Sequence, residues 1–129
     1  TFRLSEAKKA RIAAFLKEFK KIVTAGRGLD VIPRRENITC LAELGLTRKN
    51  QKEEILGLTV SDYCEGPRPD RDRPGEVWVF GKQVSGREVY IKIKIAKVGK
   101  ETIAKCLSFH PANLLLCFPF KMKEGGDKK

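Results

Sequence analysis

The chain has 129 residues, a length that predicts one domain burying roughly two-thirds of the surface of its unfolded form. Lysine and arginine total 27 against 16 aspartates and glutamates, so the formal net charge is +11. This charge favours a polyanionic partner: nucleic acid first, an acidic protein second and an anionic membrane third. The sequence has neither an apolar run of membrane-spanning length nor a secretory leader. We therefore expect a soluble cytoplasmic protein that does not act at a membrane.

The cysteines give no sign of a metal site. They are widely separated and form no Cys-x-x-Cys pair, which predicts neither a zinc site nor a disulfide framework. No pair of carboxylates stands at metal-ligand spacing either. We therefore expect neither a metal nor a cofactor.

The first predicted element is a long amphipathic helix. Ser5 is its candidate N-cap, apolar residues recur at helical spacing as far as Val23, and Gly26 ends it. Its polar side is strongly basic and includes Lys20 and Lys21. This side is interpreted as a guide for RNA, as a dock for an acidic partner, or as a solubilising surface.

Shorter elements follow before the sheet. They are an extended piece at Val31 and Ile32, a helix over residues 36–44, a helix capped by Thr47 and ended by Gly57, and one turn capped by Thr59. Residues 65–75, EGPRPDRDRPG, combine three prolines, two glycines and alternating charge. This composition predicts a mobile surface loop, which is either a substrate-contacting loop or a spacer.

The second half of the chain predicts a three-stranded antiparallel meander. Its strands cover residues 77–84, 88–96 and 102–109, with Ser85-Gly86 in the first turn and residues 98–100 in the second. Helices packed on this meander give an α+β fold. We expect a single domain over residues 1–120 and a disordered tail over residues 121–129.

The middle strand alternates between two kinds of residue. The apolar set is Val89, Ile91, Ile93 and Ile95, and the polar set is Tyr90, Lys92 and Lys94. Because a strand has a period of two, the sets lie on opposite faces. One face is predicted to be core, and the other is either a solvated surface or a site for a polyanion.

Basic residues are concentrated on the sheet as well as on the first helix. Between Lys82 and Lys105, seven basic residues oppose two acidic ones. A groove between the basic helix and the basic sheet face would suit a polyanion. The candidate RNA-binding residues are Lys94, Arg87, Lys105, Lys20 and Lys21.

Several residues of the meander have the chemistry of metal-free RNA cleavage. This reaction needs a base for the ribose 2′-hydroxyl, cations for the phosphorane and an acid for the leaving 5′-oxygen. His110, the only histidine, is the candidate acid, or else a hydrogen-bonded structural residue. Tyr90 is a candidate for proton transfer, and Lys92 and Lys82 are candidates for holding the phosphate. Lys82 shares a face with two aromatic residues that either stack on a splayed base or lie buried under the first helix.

The strings LGLTVSDY, VWVFGK, GREVYIKIKIA and CLSFHPA resemble the MqsR-type toxins of bacterial toxin–antitoxin systems, over residues 15–120. The resemblance implies a RelE-like fold, a ribosome-independent endoribonuclease that cuts messenger RNA, and a cognate antitoxin. Tyr90 and Lys92 match the family's Tyr-x-Lys strand, and His110 matches the basic group near the end of its third strand. Glu65 stands where the family has a lysine, and Val79 and Lys82 lie nearest to the place of its glutamine.

The leading hypothesis is therefore a toxin endoribonuclease that cleaves single-stranded RNA. A non-catalytic nucleic-acid-binding module and an interaction domain for an acidic protein are the alternatives.

Overall fold

A computed structural model describes residues 2–26 and 28–121 of the chain, which form helices packed on one sheet. The helices are α1 (Phe2–Ala25), α2 (Arg35–Leu44) and α3 (Arg48–Leu56), followed by a 3-10 turn at Val60–Asp62. The strands are β1 (Leu29–Val31), β2 (Tyr63–Pro69), β3 (Glu76–Val84), β4 (Arg87–Val98) and β5 (Glu101–Pro111). The sheet order is β1-β5-β4-β3-β2, with β1 parallel to β5 and the other neighbours antiparallel. The predicted α+β class and meander are confirmed. The predicted tail lies, except for Lys121, outside the described residues.

One face of the sheet holds the core beneath α1. Trp78 and Phe80 of β3 point to this face, and the ring of Phe15 stacks on that of Trp78 at 4.6 Å between centroids. Ile91 and Ile93 of β4 are fully buried on the same face. Of the two interpretations of the β3 aromatics, burial under the first helix is thus confirmed.

Thr47 caps α3 as predicted. Its side chain accepts a hydrogen bond from the backbone N–H of Asn50, and the Asn50 side chain accepts one from the backbone of Thr47. Ser5, by contrast, is not an N-cap, because α1 already begins at Phe2. Within the described residues, no helix is both long and apolar enough to cross a membrane.

The prediction of a loop over residues 65–75 is wrong for its first half. Residues 65–69 continue β2, where Glu65 pairs with Val79 and Arg68 with Val77 across irregular register shifts. Prolines are tolerated here because β2 is an edge strand, so one side of its backbone needs no ladder partner. Only residues 70–75 form the loop.

A bulge changes the phase of β5. Lys92 lies opposite Ser108 but Ile93 lies opposite Cys106, which leaves Leu107 as the extra residue. As a result Cys106 and Phe109 both reach the core. His110 is thereby placed opposite Tyr90 on the face away from the helices.

Candidate functional site

The face of the sheet away from the helices brings Tyr90 and His110 together. They are directly opposite residues of β4 and β5, and their rings stack at 5.4 Å between centroids with an interplanar angle of 18°. His110 Nδ1 lies 3.1 Å from the carbonyl oxygen of Pro111. Because a carbonyl oxygen only accepts, Nδ1 is the donor, and Nε2 is the nitrogen available for proton exchange. On the other side of Tyr90, β3 presents Gly81.

Arg68 of β2 extends this pair toward the sheet edge. Its Nη2 donates to the Tyr90 hydroxyl at 3.3 Å, and its Nη1 donates to the carboxylate of Glu65. The guanidinium therefore links the tyrosine to the edge strand. Arg68 was not among the predicted site residues.

A cleft of about 600 Å³ opens beside Arg68. Four cations line it: Arg34, Arg68, Arg71 and Lys92. Asp70 and Asp72 are also in the lining, and the remaining wall is formed by Pro69, Val77 and Leu107. We call this the cationic cleft. Its positive charges converge on one space, as a site for a phosphate requires.

The pKa of Lys92 shows how the charges of the cationic cleft act on one another. This pKa is lowered, first by burial and then by the neighbouring guanidinium groups of Arg68 and Arg34. A half-buried cation that lies near other cations is stabilised when an anion enters. The lowered pKa also raises the fraction of neutral amine that can act as a base at a given pH.

Lys94 lies on the same face but is buried. Its ammonium is 2.6 Å from Asp70 Oδ2 and donates to the Pro74 carbonyl at 3.0 Å, with only 3% of its side chain exposed. Asp70 Oδ1 in turn accepts from the backbone of Asp72 and Arg73. This predicted RNA-binding lysine is therefore not an exposed cation. It fixes the 70–75 loop, which carries Arg71 to the cationic cleft.

A second space of about 380 Å³ adjoins Tyr90 and His110 on the side away from the cationic cleft. Its lining is mostly apolar and includes Cys64, Glu65, Val79 and residues 112–117 of the segment that follows β5. We call it the apolar groove. The stacked rings of Tyr90 and His110 belong to its wall, and the Arg68 side chain joins Tyr90 to the cationic cleft.

Two further predicted site residues, Lys82 and Lys20, do not lie on the face of the sheet that carries Tyr90 and His110. Lys82 shares the helix face with the β3 aromatics, so the sheet separates it from Tyr90, Lys92 and His110. Its ammonium donates to the Glu54 carbonyl at 3.2 Å and pairs with that residue's carboxylate at 2.9 Å.

Lys20 binds the segment that directly follows α3. It donates to the Leu58 carbonyl at 2.6 Å, and its pKa is lowered chiefly by burial and further by the charge of Lys82, against the opposing effect of Asp62. Lys82 therefore stabilises the carboxyl end of α3, where carbonyl groups lack helical partners, and Lys20 holds the residue after its C-cap.

The other predicted RNA-binding residues lie outside the cationic cleft. Lys21 and Arg87 are exposed, and Lys105 pairs with Asp30 at 3.7 Å near the other edge of the sheet. The cations that do form the cleft beside Lys92 were missed. The one signal for two of them was the alternating charge of residues 65–75, and for Arg34 the sequence gives no signal.

No protein family, curated protein or solved structure matches this chain. Among residues 2–26 and 28–121, no three side chains of the kinds that ligate metals come together as a candidate site.

Proposed function

We propose that the protein is an endoribonuclease that cleaves single-stranded RNA with its own acid, base and cations. The observation that carries the proposal is the stacked pair of Tyr90 and His110 next to a cleft lined by Lys92 and three arginines. The cleft supplies the charges that a scissile phosphate needs, and the pair supplies groups that exchange protons.

The residues of the site divide the proposed reaction among them. Lys92, with its lowered pKa, accepts the proton of the ribose 2′-hydroxyl. The 2′-oxygen then attacks phosphorus while Arg68 and Arg34 stabilise the negative charge of the phosphorane. The bond from phosphorus to the 5′-oxygen breaks, and His110 Nε2 donates a proton to that oxygen. The products are a 2′,3′-cyclic phosphate and a free 5′-hydroxyl.

Tyr90 connects the two halves of this machinery. Its oxygen accepts from Arg68, so its own hydrogen is free to donate to a non-bridging phosphate oxygen. Its ring fixes the imidazole of His110 by stacking. The proposal extends to the biological role that the sequence resemblance implies: a toxin that acts on messenger RNA and is neutralised by a cognate antitoxin.

The test is cleavage of a long single-stranded RNA by purified protein in EDTA. We expect cutting with cyclic phosphate ends, lost by about 10²-fold or more in His110→Asn and in Lys92→Ala. Lys100→Ala, which removes an exposed lysine from the β4–β5 turn, is the matched control and should cut normally.

Lys92→Arg separates two roles of the lysine. Arginine keeps the positive charge but does not give up its proton, so RNA should still bind while cleavage is lost. Normal cleavage by Lys92→Arg would show that Lys92 is not the group that accepts the proton of the 2′-hydroxyl. Salt-sensitive RNA binding by the wild type without any cleavage would replace the enzyme by the non-catalytic binding module.

A further inference from the structure

The apolar groove lies beside the proposed cleavage site, and apart from Tyr90 and His110 its lining has no part in the chemistry described above. Leu116 and Phe118 cover Gly81 on this face, so the segment after β5 forms a wall over the sheet. Leu114 and Leu115 of the same segment line the groove and are 82% and 97% exposed. Because this wall lies next to the arginines of the cationic cleft, the site has two chemically different halves.

We propose that the apolar groove binds one unpaired nucleobase of the RNA whose phosphate lies in the cationic cleft. This inference rests on the proposed function and adds the part of the substrate that the groove recognises. A nucleotide is an anion joined to a flat, largely apolar ring, and the two adjacent spaces offer a place for each. At about 380 Å³ the groove falls within the range of small-molecule sites, roughly 300 to 1,000 Å³.

The geometry favours a single-stranded substrate. Bases of a duplex are stacked inside it and cannot enter a side groove, whereas an unpaired base can be splayed out and packed on protein side chains. The groove wall includes the Tyr90–His110 stack, so a base seated there would be next to the proposed acid. Filling the groove would thus fix the ribose and phosphate relative to Lys92.

Glu65 gives the groove a basis for discrimination. Its carboxylate only accepts hydrogen bonds, and its Oε2 is held by Arg68 at the boundary between the two spaces. An exocyclic amino group can donate to such a carboxylate, whereas the one N–H donor of uracil, N3–H, lies between two carbonyl groups that repel the carboxylate. We therefore expect adenine, cytosine or guanine to be preferred over uracil at this position.

The experiment measures binding of short RNAs whose 2′-hydroxyls are methylated, so that cleavage cannot interfere. An abasic site is moved through the oligonucleotide one position at a time. Wild type should lose about fivefold or more in affinity when the abasic site falls at one particular position, because base packing on such walls is worth that much. Uracil at that position should bind more weakly than the other bases, and Glu65→Gln should reduce this difference.

Two variants connect the effect to the groove. Leu116→Ser removes part of the wall, and Leu114→Ser changes an exposed wall residue at little cost to the fold. Both should make intact and abasic RNA bind alike, while Val98→Ser, an exposed apolar residue of β4 outside the groove, should behave as wild type.

The failure of this inference differs from the failure of the proposed function. Salt-dependent binding of RNA with no penalty for an abasic site at any position would overturn the base groove and leave the nuclease proposal intact. Absence of RNA binding would overturn both. Wild-type cleavage with an unchanged abasic profile in both leucine variants would also exclude the groove.

Discussion

Lys94 and Asp70 form the most buried ion pair among the described residues, with their charged atoms 2.6 Å apart and 3% and 9% of their side chains exposed. The pair joins β4 to the loop that borders the cationic cleft. Removing one partner leaves the other charge buried without its opposite charge, which is costly, whereas removing both partners costs much less. Variants of this pair therefore test whether the 70–75 loop must be fixed in place for the cationic cleft to form.

Lys94→Met should lower the free energy of unfolding by roughly 3 kcal/mol, because the Asp70 carboxylate loses its main partner. It should also weaken RNA binding, since Arg71 is no longer held at the cleft. Urea unfolding and a salt titration of RNA binding measure the two effects. The double variant Lys94→Met/Asp70→Asn should regain much of the stability.

The exposed pair of Lys105 and Asp30 is the matched control. Its charges are 3.7 Å apart and half of the aspartate side chain is exposed, so Lys105→Met should cost less than about 1 kcal/mol. Equal losses of stability in Lys94→Met and Lys105→Met would contradict the structural role of the buried pair.

The ionisation of Asp70 should make the stability of the protein depend on pH. Its pKa is lowered to about 2, chiefly by the hydrogen bond from Lys94, with a further contribution from the backbone of Asp72 and with burial opposing. In an unfolded chain the same carboxyl titrates near ~3.9. Because the folded pKa is the lower one, this stabilisation is complete above about pH 4 and is lost as the pH falls toward 2.

The comparison of wild type with Asp70→Asn shows this dependence. The difference between their free energies of unfolding should be constant at neutral pH and shrink as the pH falls from about 4 to 2. A difference that stays the same over this interval would show that the Asp70 carboxylate is not held in its ionised form.

The sequence was sufficient for the parts of the fold that depend on local signals. Thr47 caps α3 because its hydroxyl lies three residues before Asn50, and apolar residues alternate with polar ones in β4 because the helices cover only one face of the sheet. The bulge at Leu107 is different, since it is visible only when β5 is set against β4. The sequence does contain one irregularity: Lys105 alternates in phase with the larger apolar residues of β5. This irregularity does not show which residue of the strand is the extra one.

The candidate site was predictable only where it depends on local sequence patterns. Tyr90 and Lys92 share a face through strand periodicity, which the sequence reveals, whereas His110 lies opposite Tyr90 only because of the bulge at Leu107. Arg68 reaches Tyr90 only because β2 continues through its prolines as an edge strand, against its own composition. Which face Lys82 occupies depended on where the aromatics of β3 pack, and this is a property of the tertiary structure.

Asn37 of α2 completes the edge of β5 beyond the short strand β1. Its side chain, in a residue only 2% exposed, donates to the carbonyls of Ile32 and Leu107 and accepts from the N–H of Phe109. Asn37→Ala would leave these buried backbone groups without partners, so we expect a loss of about 2 to 4 kcal/mol in unfolding free energy. Thr39→Ala, an exposed change on the same helix, should stay within about 0.5 kcal/mol.

Hydrogen exchange locates the effect of Asn37→Ala. Faster exchange of the Phe109 amide, with the β3–β4 amides still protected, is the expected pattern because Phe109 loses its acceptor. Uniform loss of protection across the sheet together with a small change in stability would contradict a local role. The same variant should disturb His110, the next residue of β5, and so reduce cleavage more than its stability loss explains.

Gly81 tests how closely the segment after β5 packs on the open face. A Cβ at this position would overlap the side chain of Leu116 and lie 3.1 Å from Phe118 Cζ. Gly81→Ala should therefore displace this segment, lower the free energy of unfolding by about 1 to 3 kcal/mol, and make residues 112–121 more sensitive to proteolysis. Gly57→Ala is the control, because an added Cβ there would lie 3.3 Å from Lys82 Nζ, its closest neighbour, and a small shift of that side chain relieves the contact.

The Gly81 variant also separates the two halves of the site. The cationic cleft lies away from Leu116, so salt-sensitive RNA binding should persist in Gly81→Ala. The apolar groove has Leu116 in its wall, so the penalty for an abasic nucleotide should fall. If Gly81→Ala instead abolished salt-sensitive binding and left the abasic penalty unchanged, the assignment of phosphate to the cationic cleft and base to the apolar groove would have to be reversed.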